Sequence, residues 1–166
     1  QEINHQRTKR RYGDSGIAVS ALGLGAAQIG DPGVADSDAA YLLHYALDQG
    51  IGLIETAPSY GLSEERIGRH LSSRRHEFIL STKLGYGVEG IADWTGAGIT
   101  AGVERALRIM QTDRIDIAHL HSCPQSTLAR GDVIDALERA KREGKVRAIA
   151  YSGENEDLAY AISMNR

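Results

Sequence analysis

The sequence of 166 residues lacks several features that would direct it to a particular class of protein. Its single cysteine, Cys123, cannot form an internal disulfide, which fits a reducing, cytoplasmic setting. The 19 Lys and Arg residues are scattered and are outnumbered by 22 Asp and Glu residues, so there is no basic stripe for nucleic acid. No long uncharged apolar run or signal-peptide pattern occurs. We therefore expect neither nucleic acid nor a membrane as a partner.

The sequence also lacks a low-complexity linker, which bears on domain organisation. With 42% hydrophobic and 25% charged residues, the chain can bury one domain-sized core, and we predict a single, incomplete domain over residues 1–166. The polar residues 1–10 are predicted to form a disordered tail. Because residue 1 is Gln rather than Met and the sequence stops at Arg166, close to its last predicted helix, we expect a fragment, a truncated form or half of an assembly that another chain completes.

What is present is an alternation of apolar runs with amphipathic stretches. An N-terminal β-hairpin is predicted for residues 11–20, around the turn Gly13-Asp14-Ser15-Gly16. Five βα units are then predicted, with strands at 21–28, 51–57, 78–83, 115–121 and 146–152 and helices at 37–49, 63–71, 100–110, 132–143 and 156–163. Strands that are apolar on both faces are typical of parallel sheets covered by helices. The pattern fits an open doubly wound sheet, which the length favours, or a (β/α)8 barrel, which the content favours.

Acid–base side chains stand at the carboxyl ends of the predicted strands. Glu55 is near the end of the second strand and Tyr60 lies in the loop after it, while Lys83, His121 and Ser152 close the third, fourth and fifth strands. In a parallel sheet all these ends point the same way. A lone lysine here is usually a surface cation and a lone histidine is usually structural. Their coincidence at successive strand ends indicates an active site.

This set of side chains has the chemistry for carbonyl reduction. A nearby ammonium favours the phenolate of a tyrosine, so Tyr60 beside Lys83 could act as a general acid. The carboxylate of Glu55 would pair with Lys83, and a neutral His121 could donate a hydrogen bond to a carbonyl oxygen. The matching reaction adds hydride from a nicotinamide to the carbonyl carbon and a proton to the oxygen.

Six motifs follow one another along the chain: Ala21-Leu22-Gly23-Leu24-Gly25, Glu55-Thr56-Ala57-Pro58-Ser59-Tyr60-Gly61, Ser81-Thr82-Lys83, Asp113-Arg114-Ile115-Asp116, Leu120-His121-Ser122-Cys123-Pro124 and Gly144-Lys145-Val146-Arg147-Ala148-Ile149. In these motifs and their order the chain resembles the N-terminal part of an aldo-keto reductase. The resemblance implies a TIM-type (β/α)8 barrel, here truncated to about five βα units, whose bottom is closed by the N-terminal hairpin. It also implies an NADPH-dependent enzyme that reduces an aldehyde or ketone to an alcohol.

The resemblance further implies roles for individual residues. Tyr60 would be the proton donor and Lys83 would lower the pKa of Tyr60. Glu55 would support Lys83, and His121 would orient the substrate carbonyl. No metal is expected in this site. The residues expected to contact NADPH are Gly25, Ala26, Glu55 and Ser152.

Two departures from the family pattern stand out. The family has aspartate where this chain has Glu55, which is one methylene longer. The chain also holds five βα units rather than eight, and most contacts to the adenosine 2'-phosphate of NADPH lie on the later units. With five units, the first and last strands would be open parallel edges, which predicts self-association through them.

Weaker signals support alternatives. The run Gly23-Leu24-Gly25-Ala26-Ala27-Gln28 lacks the third glycine of a dinucleotide fingerprint. His119 and His121 point to one side of their strand and could bind a metal in a barrel hydrolase, with Glu55 as a further ligand. Another alternative is a non-catalytic nucleotide-binding barrel that serves a protein partner.

The glycine-rich loop between Gly85 and Gly98 is predicted to be a flexible flap over the site. It contains two large aromatic residues, Tyr86 and Trp94. These side chains either line a substrate pocket or anchor the loop.

Overall fold

The computed structural model describes residues 9–164. Within them the chain forms two compact units. The first unit runs to Ser81 and includes Ile109–Thr112, and the second holds Thr82–Arg108 and the residues from Asp113 onward. The single domain over residues 1–166 stays a prediction.

The predicted N-terminal hairpin is present in the first unit. Strand β1 (Lys9–Arg11) pairs antiparallel with β2 (Ala18–Ser20), and the register joins Lys9 to Ser20. The strand begins before residue 11, so the prediction of a disordered tail is wrong for its last two residues, because their backbone is held by this pairing. Residues 1–8 of the predicted tail lie outside the described residues.

Two βα units and the start of a third strand complete the first unit. They are β3 (Leu24–Gly25), α1 (Asp36–Asp48), β4 (Leu53–Glu55), α2 (Ser63–Leu71) and the first residues of β5 (Ile79–Leu84). Helix α2 has the predicted bounds. Strand β3 is shorter than the predicted 21–28: only Leu24 and Gly25 pair with β4, and a 3-10 helix follows at Gln28–Gly30. A second 3-10 helix, Ser72–Glu77, links α2 to β5.

The second unit contains the remaining elements. They are the end of β5, α3 (Gly96–Ile109), β6 (Ile115–His121), α4 (Gln125–Arg130), α5 (Asp132–Arg142), β7 (Val146–Ser152) and α6 (Asn155–Ser163). Strands β6 and β7 have the predicted bounds, and the short helix α4 was not predicted. Helix α3 begins four residues early, because the Asp132 carboxylate accepts a hydrogen bond from the N–H of Gly96 at 2.9 Å.

Five strands follow one another in the order β3-β4-β5-β6-β7, with β5 shared by the two units. Pairing is parallel between β3 and β4, between β4 and β5 and between β6 and β7. Each unit buries an apolar core against its strands. Fully buried core residues are Ile17, Leu43, Ile54, Ile67, Leu71 and Leu80 in the first unit and Leu84, Ile99, Ile115, Ile117, Leu137 and Val146 in the second.

None of the helices within residues 9–164 has the length and the apolar character needed to cross a membrane.

Candidate active site

The loop that carries Tyr60 is docked on the 3-10 turn after β3. The N–H of Leu62 donates to the carbonyl oxygen of Gly30 at 2.9 Å. A Cβ on Gly30 would collide with the carbonyl oxygen of Tyr60. Gly61 packs against the backbone of Gly30 and has a left-handed φ of +54°. Both positions therefore favour glycine. This close approach therefore sets the backbone position of Tyr60, whose side chain is half-buried.

A buried arginine of α2 holds the same turn. Arg66 is 4% exposed and donates to the carbonyl oxygens of Ile29 at 2.5 Å, Asp31 at 3.1 Å and Val34 at 2.7 Å. A guanidinium carries five N–H donors in a rigid fork, so one side chain can tie down three points of a loop. Arg66 was not predicted as a site residue, because its partners are 32 to 37 residues away in sequence.

Glu55 ends β4 beside the two residues predicted to contact the cofactor. The strand register pairs Glu55 with Gly25, and the N–H of Ala26 donates to the Glu55 carbonyl oxygen at 2.8 Å. Paired residues of neighbouring strands share a face of the sheet. Accordingly, Oε2 of Glu55 lies 3.9 Å from the position that a Cβ on Gly25 would take. Gly25 is exposed and Ala26 is buried, so Gly25 offers the open surface of the two.

Lys83 is the penultimate residue of β5, in the second unit. Its side chain is buried, and the residue is only 5% exposed. The interpretation of Lys83 as a surface cation is therefore wrong. Burial lowers the pKa of its ammonium group. Because burying a charge is costly, a buried lysine at a strand end is a candidate functional residue.

His121 ends β6 and contacts Tyr86 from the glycine-rich loop. The Tyr86 hydroxyl oxygen and Nδ1 of His121 are 2.7 Å apart, and the ring centroids are 5.5 Å apart. Burial and, second, the charge of Lys83 lower the pKa of His121. The imidazole is therefore neutral at pH 7. A neutral imidazole can donate a hydrogen bond to a substrate oxygen from one nitrogen while the other nitrogen accepts one.

His119 lies two residues before His121 on the same side of β6. Burial and the charge of Lys83 lower its pKa, against a backbone hydrogen bond with Tyr151 that raises it. Within the described part of the chain its Nδ1 is buried and has no hydrogen-bond partner. No group of three or more potential metal ligands occurs among residues 9–164.

A polar cavity of about 300 Å³ lies where β6 and β7 end. Its lining includes His121, Ser152, Glu154, Asn155 and Asp157. Two carboxylates disfavour a phosphate group here, since like charges repel. Hydroxyl and amide side chains suit a neutral polar group instead.

The predicted site residues thus fall into two sets. Gly25, Ala26, Glu55 and Tyr60 lie in the first unit, whereas Lys83, His121 and Ser152 lie in the second. The first set brings the Glu55 carboxylate beside Gly25, and the second places His121 within the electrostatic influence of Lys83. The contact between Tyr86 and His121 was not predicted, although the aromatic residues of the glycine-rich loop were singled out.

Comparisons with known proteins agree on one family. The family model described as "Aldo/keto reductase family" matches residues 21–165. L-galactose dehydrogenase of Arabidopsis thaliana is 34% identical over 90% of this chain and 49% of its own length. D-threo-aldose 1-dehydrogenase of a Pseudomonas species is 34% identical over 86% of this chain and 53% of its own length. The chain spans about half the length of these curated relatives.

Solved structures give the same result. The holo form of an aldo-keto reductase from Bacillus halodurans superimposes with a TM-score of 0.83 at 33% identity, over 93% of this chain and 53% of that one. The fold is that of a TIM-type (β/α)8 barrel, of which the described residues form five βα units after an N-terminal hairpin. Motifs, fold and relatives lead to one conclusion: the chain belongs to the aldo/keto reductase family.

Proposed function

We propose that the protein reduces an aldehyde or ketone to an alcohol with NADPH as the hydride donor. The observation that carries the proposal is the buried Lys83 at the end of β5, within a match to the aldo/keto reductase family that covers most of the chain. Burying an ammonium group near a neutral histidine costs folding free energy, so such a group is a candidate for a functional role. Acid–base chemistry at the strand ends would be that role.

The proposed roles follow from the chemistry of each group. Tyr60 donates the proton to the carbonyl oxygen, and Lys83 is the cation that favours loss of that proton. Glu55 supports Lys83 in its charged state against the burial that disfavours it. Neutral His121 donates a hydrogen bond to the same oxygen and fixes its direction.

NADPH would supply the hydride, and four residues are proposed to contact it. Gly25 exposes backbone that a flat ligand can approach closely, since it has no Cβ. The cavity beside Ser152 suits a neutral polar group, so we assign it to an amide-bearing part of the cofactor rather than to a phosphate. Ala26 and Glu55 complete the proposed contacts from the first unit.

The proposed substrate class is a polyhydroxylated carbonyl compound. Two relatives at 34% identity are named for sugars, L-galactose dehydrogenase and D-threo-aldose 1-dehydrogenase. We place the reaction in the cytoplasm, because the single cysteine fits a reducing compartment.

NADPH oxidation with a panel of sugar aldehydes and plain aliphatic aldehydes tests the proposal. We expect Tyr60→Phe to lower kcat by about 10²-fold to 10⁴-fold, because the proton donor is lost. Tyr45→Phe is the matched control, since Tyr45 is 49% exposed on α1, and it should leave turnover unchanged. Turnover that survives Tyr60→Phe would contradict the mechanism.

The same assays address the alternatives. A non-catalytic barrel would bind NADPH, detected by quenching of Trp94 fluorescence, and would show no turnover with any carbonyl compound. A barrel hydrolase would contain metal in elemental analysis. Self-association through the outer strands β3 and β7 stays a prediction, which sedimentation of the purified chain would check.

A further inference from the structure

The glycine-rich loop after β5 is closed on itself and presents Tyr86 to His121. The N–H of Trp94 donates to the carbonyl oxygen of Gly85 at 2.7 Å, and the N–H of Gly87 donates to Oδ1 of Asp93 at 3.0 Å. These bonds join the two ends of the loop. They leave Tyr86, which lies between Gly85 and Gly87, on a short and closed segment.

Packing of Trp94 tightens this arrangement. Trp94 adopts a left-handed φ of +57°, and its ring lies so close to Gly85 that a Cβ there would collide with it. The rings of Tyr86 and Trp94 have centroids 6.3 Å apart. Arg130 also donates to the Trp94 carbonyl oxygen at 2.6 Å. The loop is therefore anchored from several directions, and Tyr86 has a defined position against His121.

The direction of the hydrogen bond between Tyr86 and His121 follows from the basicity of the two groups. A neutral imidazole has one N–H donor and one bare nitrogen, and a phenol hydroxyl can donate or accept. The bare imidazole nitrogen, with a conjugate acid of reference pKa about 6.5, is much more basic than a phenol oxygen. The phenol therefore donates and Nδ1 accepts. A bare Nδ1 leaves the proton of the ring on Nε2.

We propose that Tyr86 is a positioning residue that holds His121 in the tautomer protonated on Nε2, the form that can donate from Nε2 to a substrate carbonyl oxygen. The proposal deepens the proposed function and rests on it only for the effect on turnover. The tautomer itself is a property of the protein without substrate.

Ring ¹⁵N NMR on the full chain tests the tautomer directly. With ¹⁵N-labelled histidine, and the His121 signals assigned by their loss in His121→Gln, we expect a bare Nδ1 and a protonated Nε2 in the wild-type protein. In Tyr86→Phe, which keeps the ring but removes the hydroxyl, we expect a shift of the population toward the Nδ1-protonated form. Tyr45→Phe is the matched control and should leave the His121 signals unchanged.

Kinetics then separate positioning from a structural role. We expect Tyr86→Phe to lower kcat about tenfold, the worth of one hydrogen bond, with KM changed by less than about twofold. A rise in KM at constant kcat would mean that Tyr86 binds substrate and does not position His121. An Nδ1-protonated His121 in the wild type, or identical His121 spectra in Tyr86→Phe, would overturn the proposal even if Tyr60→Phe abolishes turnover. If the wild-type protein shows no reductase activity, the proposed function fails, but the NMR spectra still decide which nitrogen of His121 carries the proton.

Discussion

Replacement of Arg66 by methionine tests how the first unit positions Tyr60, the proposed proton donor. Methionine approximates the length of the arginine stem but has no donors, so the change removes three hydrogen bonds from a charged group. The carbonyl groups of Asp31 and Val34 are in exposed or half-buried residues and can turn to water. Ile29 is 2% exposed, so its carbonyl group would lose its partner inside the protein.

The expected loss of stability is set mainly by the buried carbonyl group of Ile29. An unsatisfied buried carbonyl costs about 1–3 kcal/mol, and hydrogen bonds to a charged donor are stronger than neutral ones. The substitution also removes the cost of burying a charged guanidinium, which offsets part of the loss. We therefore expect Arg66→Met to lower the free energy of unfolding by about 3 kcal/mol, a value toward the upper end of single-residue effects. Since the tethered turn also contacts the Tyr60 backbone, we expect kcat to fall as well.

Urea denaturation followed by far-UV circular dichroism gives the stability, and amide hydrogen exchange along α2 gives the local effect. Arg69→Met is the matched control, because Arg69 lies one turn later on α2 and bonds only through exposed contacts to Asp36 and Glu65. That control should leave the midpoint nearly unchanged. If Arg66→Met destabilises no more than Arg69→Met, the three carbonyl contacts do not hold the turn as argued.

Three further substitutions have defined outcomes. Gly30→Ala should expose the Tyr60 loop to faster amide exchange and reduce kcat, because the new Cβ meets the Tyr60 carbonyl oxygen; unchanged exchange would contradict the close approach. Lys83→Met should raise the pKa of His121 toward its usual 6.5 in an NMR titration, because a nearby cation is removed while burial remains; a lowered pKa would contradict the assignment. Glu55→Asp should keep the unfolding midpoint and change kcat by up to about 10²-fold.

The sequence predicted best those elements whose limits are set locally. Helix α2 and strands β6 and β7 have the predicted bounds, since each is an uninterrupted pattern of one period between polar or glycine residues. Strand β3 was overextended: only Leu24 and Gly25 pair with β4, and the 3-10 helix that follows at Gln28–Gly30 contacts the Tyr60 loop, about 30 residues away, which no local pattern shows. The extra turn of α3 depends likewise on Asp132, which reaches Gly96 from a distant position.

In the candidate site too, local features were predictable from the sequence and long-range contacts were not. Strand-end position was enough to select Lys83 and His121, because parallel strands present their carboxyl ends to one edge of a sheet. No periodicity predicts that Lys83 is buried or that Arg66 reaches three carbonyl groups. The pairing of Tyr86 with His121 depends on how Trp94 packs on Gly85, which is a property of the folded loop.

The departure at Glu55 can be interpreted because the backbone around it has little freedom. Its strand register is set on both sides, by Gly25 in β3 and by Ser81 in β5, and its carbonyl oxygen accepts the Ala26 N–H. The extra methylene therefore has to be absorbed by the side chain, over a distance of about 1 Å. A faster Glu55→Asp enzyme would show that glutamate misplaces the carboxylate, and a slower one would show a site built around the longer side chain. An unchanged rate would mean that turnover does not depend on the placement of this carboxylate to within about 1 Å.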